Sequence, residues 1–226
     1  VSQERVLPEI MVRTCREHMD CKITQLTDLY TDKVKGVDEC VRFPAMKSFA
    51  ESQAHAFAGY ECGEALYVDC DVIFKGDVSE LWEQDFDFAV KRADKDLKIL
   101  DAPGIFDPKE LVAEKMPYNM GVVFCRRPEI WQRIIEEEIN WYEGQIRFGL
   151  LMKEYNVLDL DPVYHYIPQY FLEDLTGQKI CHFKGKHRKL WMAKRYGHCR
   201  RSLGAIKKVK HNEHFDARRA SNGGER

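Results

Sequence analysis

EALYVDCDVIFKGDVSELW, residues 64–82, runs apolar into two aspartates, Asp69 and Asp71, and then becomes apolar again. The pattern predicts a buried β-strand over residues 65–69. Side chains two residues apart on a strand point to the same side, so both carboxylates would project together at its carboxyl end. They could simply cap a turn by accepting hydrogen bonds from nearby backbone amides. Alternatively, they bind a hard divalent metal ion that keeps open positions for phosphate oxygens.

The segments on either side of this stretch alternate between helical and extended patterns. Helices are predicted over residues 1–20 and 46–60 and after Pro128, and strands over residues 21–28, 65–69, 86–92, 121–126, 156–160 and 179–183. Such alternation predicts an α/β sandwich with a mostly parallel sheet, whose ligands lie beyond the carboxyl ends of the strands. We expect residues 1–210 to form one domain and residues 211–226 to be a disordered tail.

Composition places the chain among ordinary globular proteins. Its 226 residues are 44% apolar, which is enough to bury one full core. The formal net charge of -2 gives no general attraction for nucleic acid, so no nucleic-acid partner is expected. The eight cysteines include no C-x-x-C pair, and no run of eighteen apolar residues occurs. We therefore expect free thiols in a reducing cytosol and a cytoplasmic location.

Positive charge is concentrated towards the end of the chain. Residues 175–212 contain twelve Lys or Arg and no Asp or Glu. Such a segment can be an ordinary solvated face, or it can attract phosphate or an anionic membrane surface. We expect peripheral membrane contact, if it occurs, to run through the basic residues 184–210.

Two further stretches place polar residues beside predicted strands or helices. PYNMGVVFC (117–125) puts Asn119 and Gly121 just ahead of a strand, where an amide and a bare backbone could meet a polar ligand. Asn and Gly also make ordinary turns, so this signal is weak alone. EGQIRFGLL (143–151) presents Gln145 where a loop leads into a helix.

A third stretch, CHFKGKHRKLW (181–191), joins a histidine to a basic loop. His182 ends a predicted strand, Gly185 allows a tight loop, and Arg188 and Lys189 supply positive charge. A histidine at a strand end is more often structural than functional. Here the basic loop follows at once, and an imidazole, two carboxylates and cations are what a metal diphosphate complex needs.

The order of these pieces resembles that of the family-8 glycosyltransferases and related GT-A fold enzymes. The pieces are an apolar strand ending D-x-D, the segment containing ELW, the NMGV strand and the late HFKGKHRKLW loop, and the similarity covers about residues 6–195. The resemblance implies a GT-A type Rossmann-like α/β/α sandwich with a mixed, mostly parallel sheet. It also implies a retaining transferase that uses Mn2+ (or Mg2+) and a nucleotide diphosphate sugar, usually a UDP-sugar.

The same resemblance assigns roles to the metal side of the site. Asp69 matches the aspartate that contacts both the nucleoside ribose and the metal. Asp71 and His182 match the other two metal ligands. Arg188 or Lys189 matches the cation that binds the diphosphate.

On the sugar side, the resemblance implies that Asn119 and Gly121 lie in the segment that contacts the sugar and the acceptor. Gln145 matches the glutamine near the anomeric carbon, so Gln145 and Asn119 are the candidate catalytic residues. Gly185 belongs to the loop that contacts the substrate. The acceptor itself, a saccharide or a lipid-linked molecule, cannot be named from residue types.

The chain departs from the family pattern at several positions. Gly144 stands where the family has the aspartate of a D-Q pair, with Glu143 as the nearest substitute. Ser52 stands where an arginine is common, and His55 follows one turn later. Lys189 and Leu190 occupy the places of a proline and a tryptophan, with Trp191 one residue late. Donor specificity is therefore less well determined by the sequence than metal binding.

Family members begin with a strand that helps to hold the uridine, whereas this sequence opens on the helix that would follow it. We therefore expect the sheet to lack its first strand. That strand is central in the family sheet, so its absence would leave backbone groups of its neighbours without partners.

Two other interpretations of the aspartate stretch remain open, and a third, the calcium loop, fails at two positions. A haloacid-dehalogenase-type phosphatase also has D-x-D after an apolar strand, but its second acidic pair after a later strand is not found. A non-catalytic sugar-nucleotide binder fits the substitutions at Gly144 and Ser52. An EF-hand calcium loop would place Phe74 where its turn requires glycine, and Ile73 at a ligand position.

Overall fold

The computed structural model describes residues 3–47, 49–93, 116–135 and 141–197. Within these residues the strands are β1 (Thr24–Thr27), β2 (Glu39–Arg42), β3 (Ala65–Val68), β4 (Val72–Phe74), β5 (Phe88–Arg92), β6 (Tyr118–Cys125), β7 (Val157–Asp159) and β8 (Ile180–His182). The helices are α1 (Gln3–His18), α2 (Phe49–Gly59), α3 (Ile130–Ile134), α4 (Trp141–Leu151) and α5 (Lys186–Tyr196). Short 3-10 helices cover Ser79–Glu83, Met152–Glu154 and Pro162–Tyr164.

The main sheet has the strand order β3-β6-β5-β7, and two smaller pairs, β1-β2 and β4-β8, accompany it. β6 runs antiparallel to both β3 and β5, whereas β7 runs parallel to β5. The expectation of a mixed α/β sheet is confirmed. A mostly parallel sheet is not found among the described strands, because three of their five pairings are antiparallel. Apolar periodicity reports burial and says nothing about strand direction.

Side chains of the main sheet alternate between two apolar layers. On β6, Val122 and Phe124 face a cluster that includes β4 and α1, whereas Val123 and Cys125 face a cluster built with α2, α3 and α4. Both faces of the sheet are therefore buried, as in an α/β/α sandwich. A third cluster joins α1, β8 and α5.

The opening stretch of the sequence forms two strands instead of one. β3 pairs with β6 in the main sheet, and β4 pairs with β8 in a separate two-stranded sheet. The break falls at Asp69, Cys70 and Asp71, so the two carboxylates lie where the chain crosses from one sheet to the other. Residues 72–74 are buried strand, which excludes a calcium loop over this segment.

Three further expectations can be compared with the structure. The described cysteines are free thiols. Within the described residues, none of the helices has the length and apolar character needed to cross a lipid bilayer. The predicted tail, residues 211–226, and the end of the basic segment, residues 198–210, lie outside the part of the chain that is described.

Candidate metal and donor site

A histidine that is distant in sequence meets two neighbouring aspartates at the break between β3 and β4. Asp69 and Asp71 come from the break itself, and His182 is the last residue of β8. One ligand atom from each lies within 4.8 Å of the other two. The Nε2 atom of His182 lies 3.3 Å from Asp71 Oδ1 and 3.8 Å from Asp69 Oδ2.

Backbone hydrogen bonds hold the two aspartates in place. The N–H of Asp69 donates to the carbonyl of Gly121 on β6 over 3.0 Å. The carbonyl of Asp71 accepts from the N–H of Phe183, directly after β8, over 2.8 Å. Each carboxylate is therefore positioned by a different sheet, and the distance between them depends on how the two sheets pack.

Gly121 leaves the space that the His182 ring occupies. A Cβ atom at Gly121 would lie 2.1 Å from Cε1 and 2.6 Å from Nδ1 of that ring. Real Cβ contacts are not that short, so any side chain at position 121 would push the imidazole aside. The Oδ1 atom of Asn119 accepts a hydrogen bond from the Gly121 N–H over 3.1 Å, which fixes this part of β6 further.

Charge in the site is shared between the two aspartates and Lys189 of α5. The Nζ atom of Lys189 lies 3.1 Å from Asp71 Oδ2. Burial works to raise the pKa of Asp71, but the favourable interactions of this carboxylate with His182 and Lys189 outweigh it and lower this pKa to about 2. Burial raises the pKa of Asp69 above its ordinary value. Asp71 is thus held as a carboxylate.

These residues fit a divalent metal ion. Two carboxylates and an imidazole are a donor set that Mn2+ and Mg2+ accept. The Oδ1 atom of Asp71 is buried and has no hydrogen-bond partner among the described residues, although it faces the His182 ring. An unpartnered buried carboxylate oxygen is costly, and a cation would satisfy it. The cluster can therefore hold a metal ion.

A cavity of about 260 Å³ opens beside the cluster. Of the residues predicted from sequence, those that line it are Asp69, Asp71, Asn119, Gly121, Gln145, His182, Gly185 and Lys189. Gly144 also lines the cavity, so the position at which the family has an aspartate offers no carboxylate here.

Arg188 is not among the residues that line the cavity. Its Nε atom donates to the carbonyl of Pro168 over 2.7 Å, and its Nη1 atom donates to the carbonyl of Lys184 over 3.2 Å. Of the two cations proposed to grip a diphosphate, Lys189 is therefore the one beside the carboxylates.

The structure adds residues that the sequence did not single out. The Nε2 atom of Gln53 on α2 donates to Asp69 Oδ1 over 3.0 Å. Gln53 follows Ser52, the position at which an arginine is common in the family that the sequence resembles. The Oγ atom of Ser52 instead accepts from the N–H of Met46. The sequence contains one signal for Gln53: it is a polar residue next to the apolar Ala54 and close to Phe57, and both of these also line the cavity.

A second buried histidine lies behind the cluster. The Nε2 atom of His165 is 2.9 Å from Nδ1 of His182, and His165 is completely buried. Burial, followed by the neighbouring charge of His182, lowers the pKa of His165 well below its ordinary value, so this ring is neutral. Its only signal in the sequence is an isolated histidine between two tyrosines in PVYHY (162–166).

Comparison with solved structures shows which fold this is. The chain is similar to the glycosyltransferase GlyE of Streptococcus pneumoniae TIGR4, with a TM-score of 0.57 and 17% identity over 88% of this chain and 59% of GlyE. It is similar to the galactosyltransferase LgtC in complex with donor and acceptor sugar analogues, with a TM-score of 0.52 and 13% identity over 85% of this chain and 90% of LgtC. For the bifunctional glycosyltransferase WbbM, the TM-score is 0.50 at 14% identity, over 80% of this chain and 44% of WbbM.

The fold is therefore that of the GT-A type glycosyltransferases. At these identities the likeness establishes the fold alone, and this chain spans 59% of the length of GlyE. No family model matches the chain, and no curated protein matches it by sequence.

Proposed function

We propose that the chain is a metal-dependent glycosyltransferase of the family-8 kind. Its donor would be a nucleotide diphosphate sugar, most simply a UDP-sugar, and its acceptor a saccharide or a lipid-linked molecule. The observation that carries the proposal is the cluster of Asp69, Asp71 and His182 at the wall of a cavity that also contains Lys189. This cluster and cation match the charge of a metal diphosphate complex.

The reaction breaks the bond between the anomeric carbon and a diphosphate oxygen, and the electron pair leaves with the diphosphate. The acceptor oxygen forms the new bond to that carbon, and its proton passes to the departing diphosphate. A bound Mn2+ or Mg2+ would stabilise the charge that develops on the leaving diphosphate. Lys189 would add a positive charge on the same side. Because this charge is largest in the transition state, stabilising it lowers the barrier.

Asp69, Asp71 and His182 are the proposed metal ligands, with Asp69 also contacting the ribose. Gln53 would orient Asp69 through the hydrogen bond to its Oδ1 atom.

The sugar would lie in the part of the cavity lined by Asn119, Gly121 and Gln145. We propose that Gln145 lies near the anomeric carbon and Asn119 near the acceptor, with retention of the anomeric configuration. Gly185, whose φ of 90° is readily adopted by glycine, forms the loop ahead of α5 and borders the donor. Arg188 has no direct role in this proposal.

A thermal-shift screen tests the proposed donor site. UDP, GDP and their sugars are added with and without Mn2+, and the melting temperature is measured for the parent chain and for Asp71→Ala. We expect UDP with Mn2+ to raise the melting temperature of the parent, because a ligand that binds only the folded state stabilises it. Asp71→Ala should abolish that increase, whereas Asp32→Ala, at an exposed site, should keep it. An equal increase without metal would contradict the scheme.

A non-catalytic sugar-nucleotide binder is the second candidate, and Gly144 at the cavity wall favours it. Both candidates predict metal-dependent UDP binding. Release of UDP from UDP-sugars, with or without added saccharide acceptors, separates them. Binding without any transfer or hydrolysis would support the second candidate over the first.

We also propose peripheral contact with an anionic membrane, which would bring a lipid-linked acceptor to the site. Tyr170, Phe171 and Leu172 are exposed side by side, at 72%, 38% and 81%. Their loop is held against the basic helix α5, since Arg188 donates to the carbonyl of Pro168 and Arg195 to that of Glu173. Apolar side chains beside cations suit an anionic lipid surface.

Sedimentation with vesicles tests this contact. The parent chain should sediment with phosphatidylserine vesicles more than with phosphatidylcholine vesicles, and the double variant Tyr170→Ala, Leu172→Ala should lose much of that binding. Equal recovery in the supernatant with both lipids would rule the contact out.

A further inference from the structure

The two buried histidines form a pair that the proposed reaction does not yet use. Nε2 of His165 and Nδ1 of His182 are 2.9 Å apart, and the ring centroids are 5.1 Å apart at an interplanar angle of 38°. The exposed fractions of the two residues are 0% and 2%. At that distance the two ring nitrogens share one proton in a hydrogen bond.

The backbone places His165 rigidly beside β8. The N–H of Tyr166 donates to the carbonyl of Ile180 over 2.9 Å, and the N–H of His182 donates to the carbonyl of Tyr166 over 2.7 Å. Ahead of it, the 3-10 turn is capped by Asp161, whose Oδ1 atom accepts from the N–H of Val163 over 2.8 Å. The position from which His165 contacts the His182 ring is therefore determined by the backbone hydrogen bonds between Tyr166 and β8.

The rest of the His182 ring is also constrained. Its Nε2 atom faces Asp69 and Asp71, and its Cε1 edge lies against the bare backbone of Gly121. Only one ring nitrogen is therefore directed at the carboxylates. To bind a cation, that nitrogen must carry its lone pair, which requires the proton of the neutral ring to sit on Nδ1.

We propose that His165 is a positioning residue for the metal ligand His182. Its Nε2 atom accepts the Nδ1–H proton of His182, which holds the ring orientation and presents the Nε2 lone pair to a cation shared with Asp69 and Asp71. Metal-binding histidines usually donate this proton to a carboxylate, a backbone carbonyl or water. A neutral imidazole does the same task without adding a third negative charge beside the carboxylates of Asp69 and Asp71. This inference rests on the metal site of the proposed function.

The test compares two substitutions of His165 whose new side chains have similar lengths. In His165→Gln, the Oε1 atom can take the place of Nε2 as acceptor, whereas His165→Met fills a similar volume with no comparable acceptor. Mn2+ affinity, without nucleotide, is measured from the electron paramagnetic resonance signal of free Mn2+. We expect His165→Met to weaken Mn2+ binding by about 10- to 100-fold and His165→Gln to stay within about threefold of the parent.

Met152→Ala controls for a general loss of stability. Met152 is buried in the apolar cluster that contains α3 and α4, away from the histidine pair, so its variant should melt lower and still bind Mn2+ like the parent. The inference is overturned if folded His165→Met binds Mn2+ like the parent, or if both substitutions weaken binding equally. If the parent itself binds no Mn2+, the proposed metal site is wrong too. If the parent binds Mn2+ and only the expected effect of His165 is missing, the metal site stands and this inference alone fails.

If His165→Met does not fold, the parent protein decides the question. With Mg2+ bound, a 15N-labelled sample should show a slowly exchanging imidazole N–H proton on Nδ1 of His182, because that proton is buried in the bond to His165. His165→Gln should keep this slowly exchanging proton, because the Gln side chain still offers an acceptor. Rapid exchange of this proton in the parent would overturn the inference.

Discussion

Gly121 shows how one missing side chain shapes the site. The sequence suggested a bare backbone facing a polar ligand, and the structure places that backbone against the ring of His182. The glycine therefore acts on its surroundings by leaving room for the histidine ring. A residue without a side chain makes the approach of β6 to β8 possible at this point.

Substitution of Gly121 by alanine should disturb the metal site and the fold together. The new Cβ atom would lie 2.1 Å from Cε1 of His182, so the ring must move away from Asp71. We expect Gly121→Ala to lower the free energy of unfolding by about 1–3 kcal/mol, as overpacking does. It should also weaken Mn2+ binding at least tenfold, as measured by isothermal titration calorimetry.

Gly63→Ala is the matched control, because a Cβ atom at that glycine would meet nothing within 4 Å. It should leave both quantities near the parent values. Unchanged Mn2+ affinity in Gly121→Ala would show that the His182 ring has room to move and still bind.

At the scale of elements, Arg126 joins the end of β6 to the segment that precedes β5. Its Nη1 atom donates to the carbonyls of Gln84, over 2.8 Å, and Phe86, over 3.3 Å, and its Nη2 atom donates to that of Trp82. Its guanidinium group also lies 4.4 Å from the centroid of the Phe86 ring. One side chain thus satisfies three carbonyls, one within the 3-10 helix Ser79–Glu83 and two in the segment that leads from it to β5.

Arg126→Met should therefore destabilise the protein by about 2–3 kcal/mol, because carbonyls that bonded to a charged donor lose that partner. Arg127→Met is the matched control. Arg127 bonds to Asp87 from a side chain that is 53% exposed, and exposed ion pairs contribute little. Urea unfolding of both variants measures the difference. Equal free energies of unfolding would mean that water replaces the Arg126 contacts.

At the scale of the whole molecule, most described carboxylates with a shifted pKa are shifted downward. Hydrogen bonds and neighbouring cations favour their charged forms, although burial opposes this at Asp71, Glu80 and Glu173. The carboxyl groups with lowered pKa are Asp28, Asp38, Glu39, Asp71, Asp77, Glu80, Glu154, Glu173 and Asp174. Asp69 shifts in the opposite direction.

These shifts predict acid sensitivity. Each lowered pKa means that the unfolded chain binds more protons than the folded chain near pH 4, so stability is present above that pH and is lost as the pH falls. The raised pKa of Asp69 offsets a small part of this. Melting temperatures measured without metal from pH 7 to pH 3 should therefore decrease, most steeply below about pH 5. A melting temperature that rises on acidification would contradict the assignment.

The sequence by itself determined the α/β class and the paired aspartates, because burial periodicity and the two-residue repeat of strands are local properties. It also brought His182, Gln145, Asn119 and Lys189 forward as site residues, through their order along the chain. All four line one cavity with the aspartates.

The tertiary structure alone decided which neighbours these residues have. It paired the strands mostly antiparallel, turned Arg188 towards Pro168, and placed Gln53 and His165 against Asp69 and His182. The physical reason is that strand direction and contacts between distant segments depend on how whole strands and helices pack together. No local pattern of side chains encodes that packing.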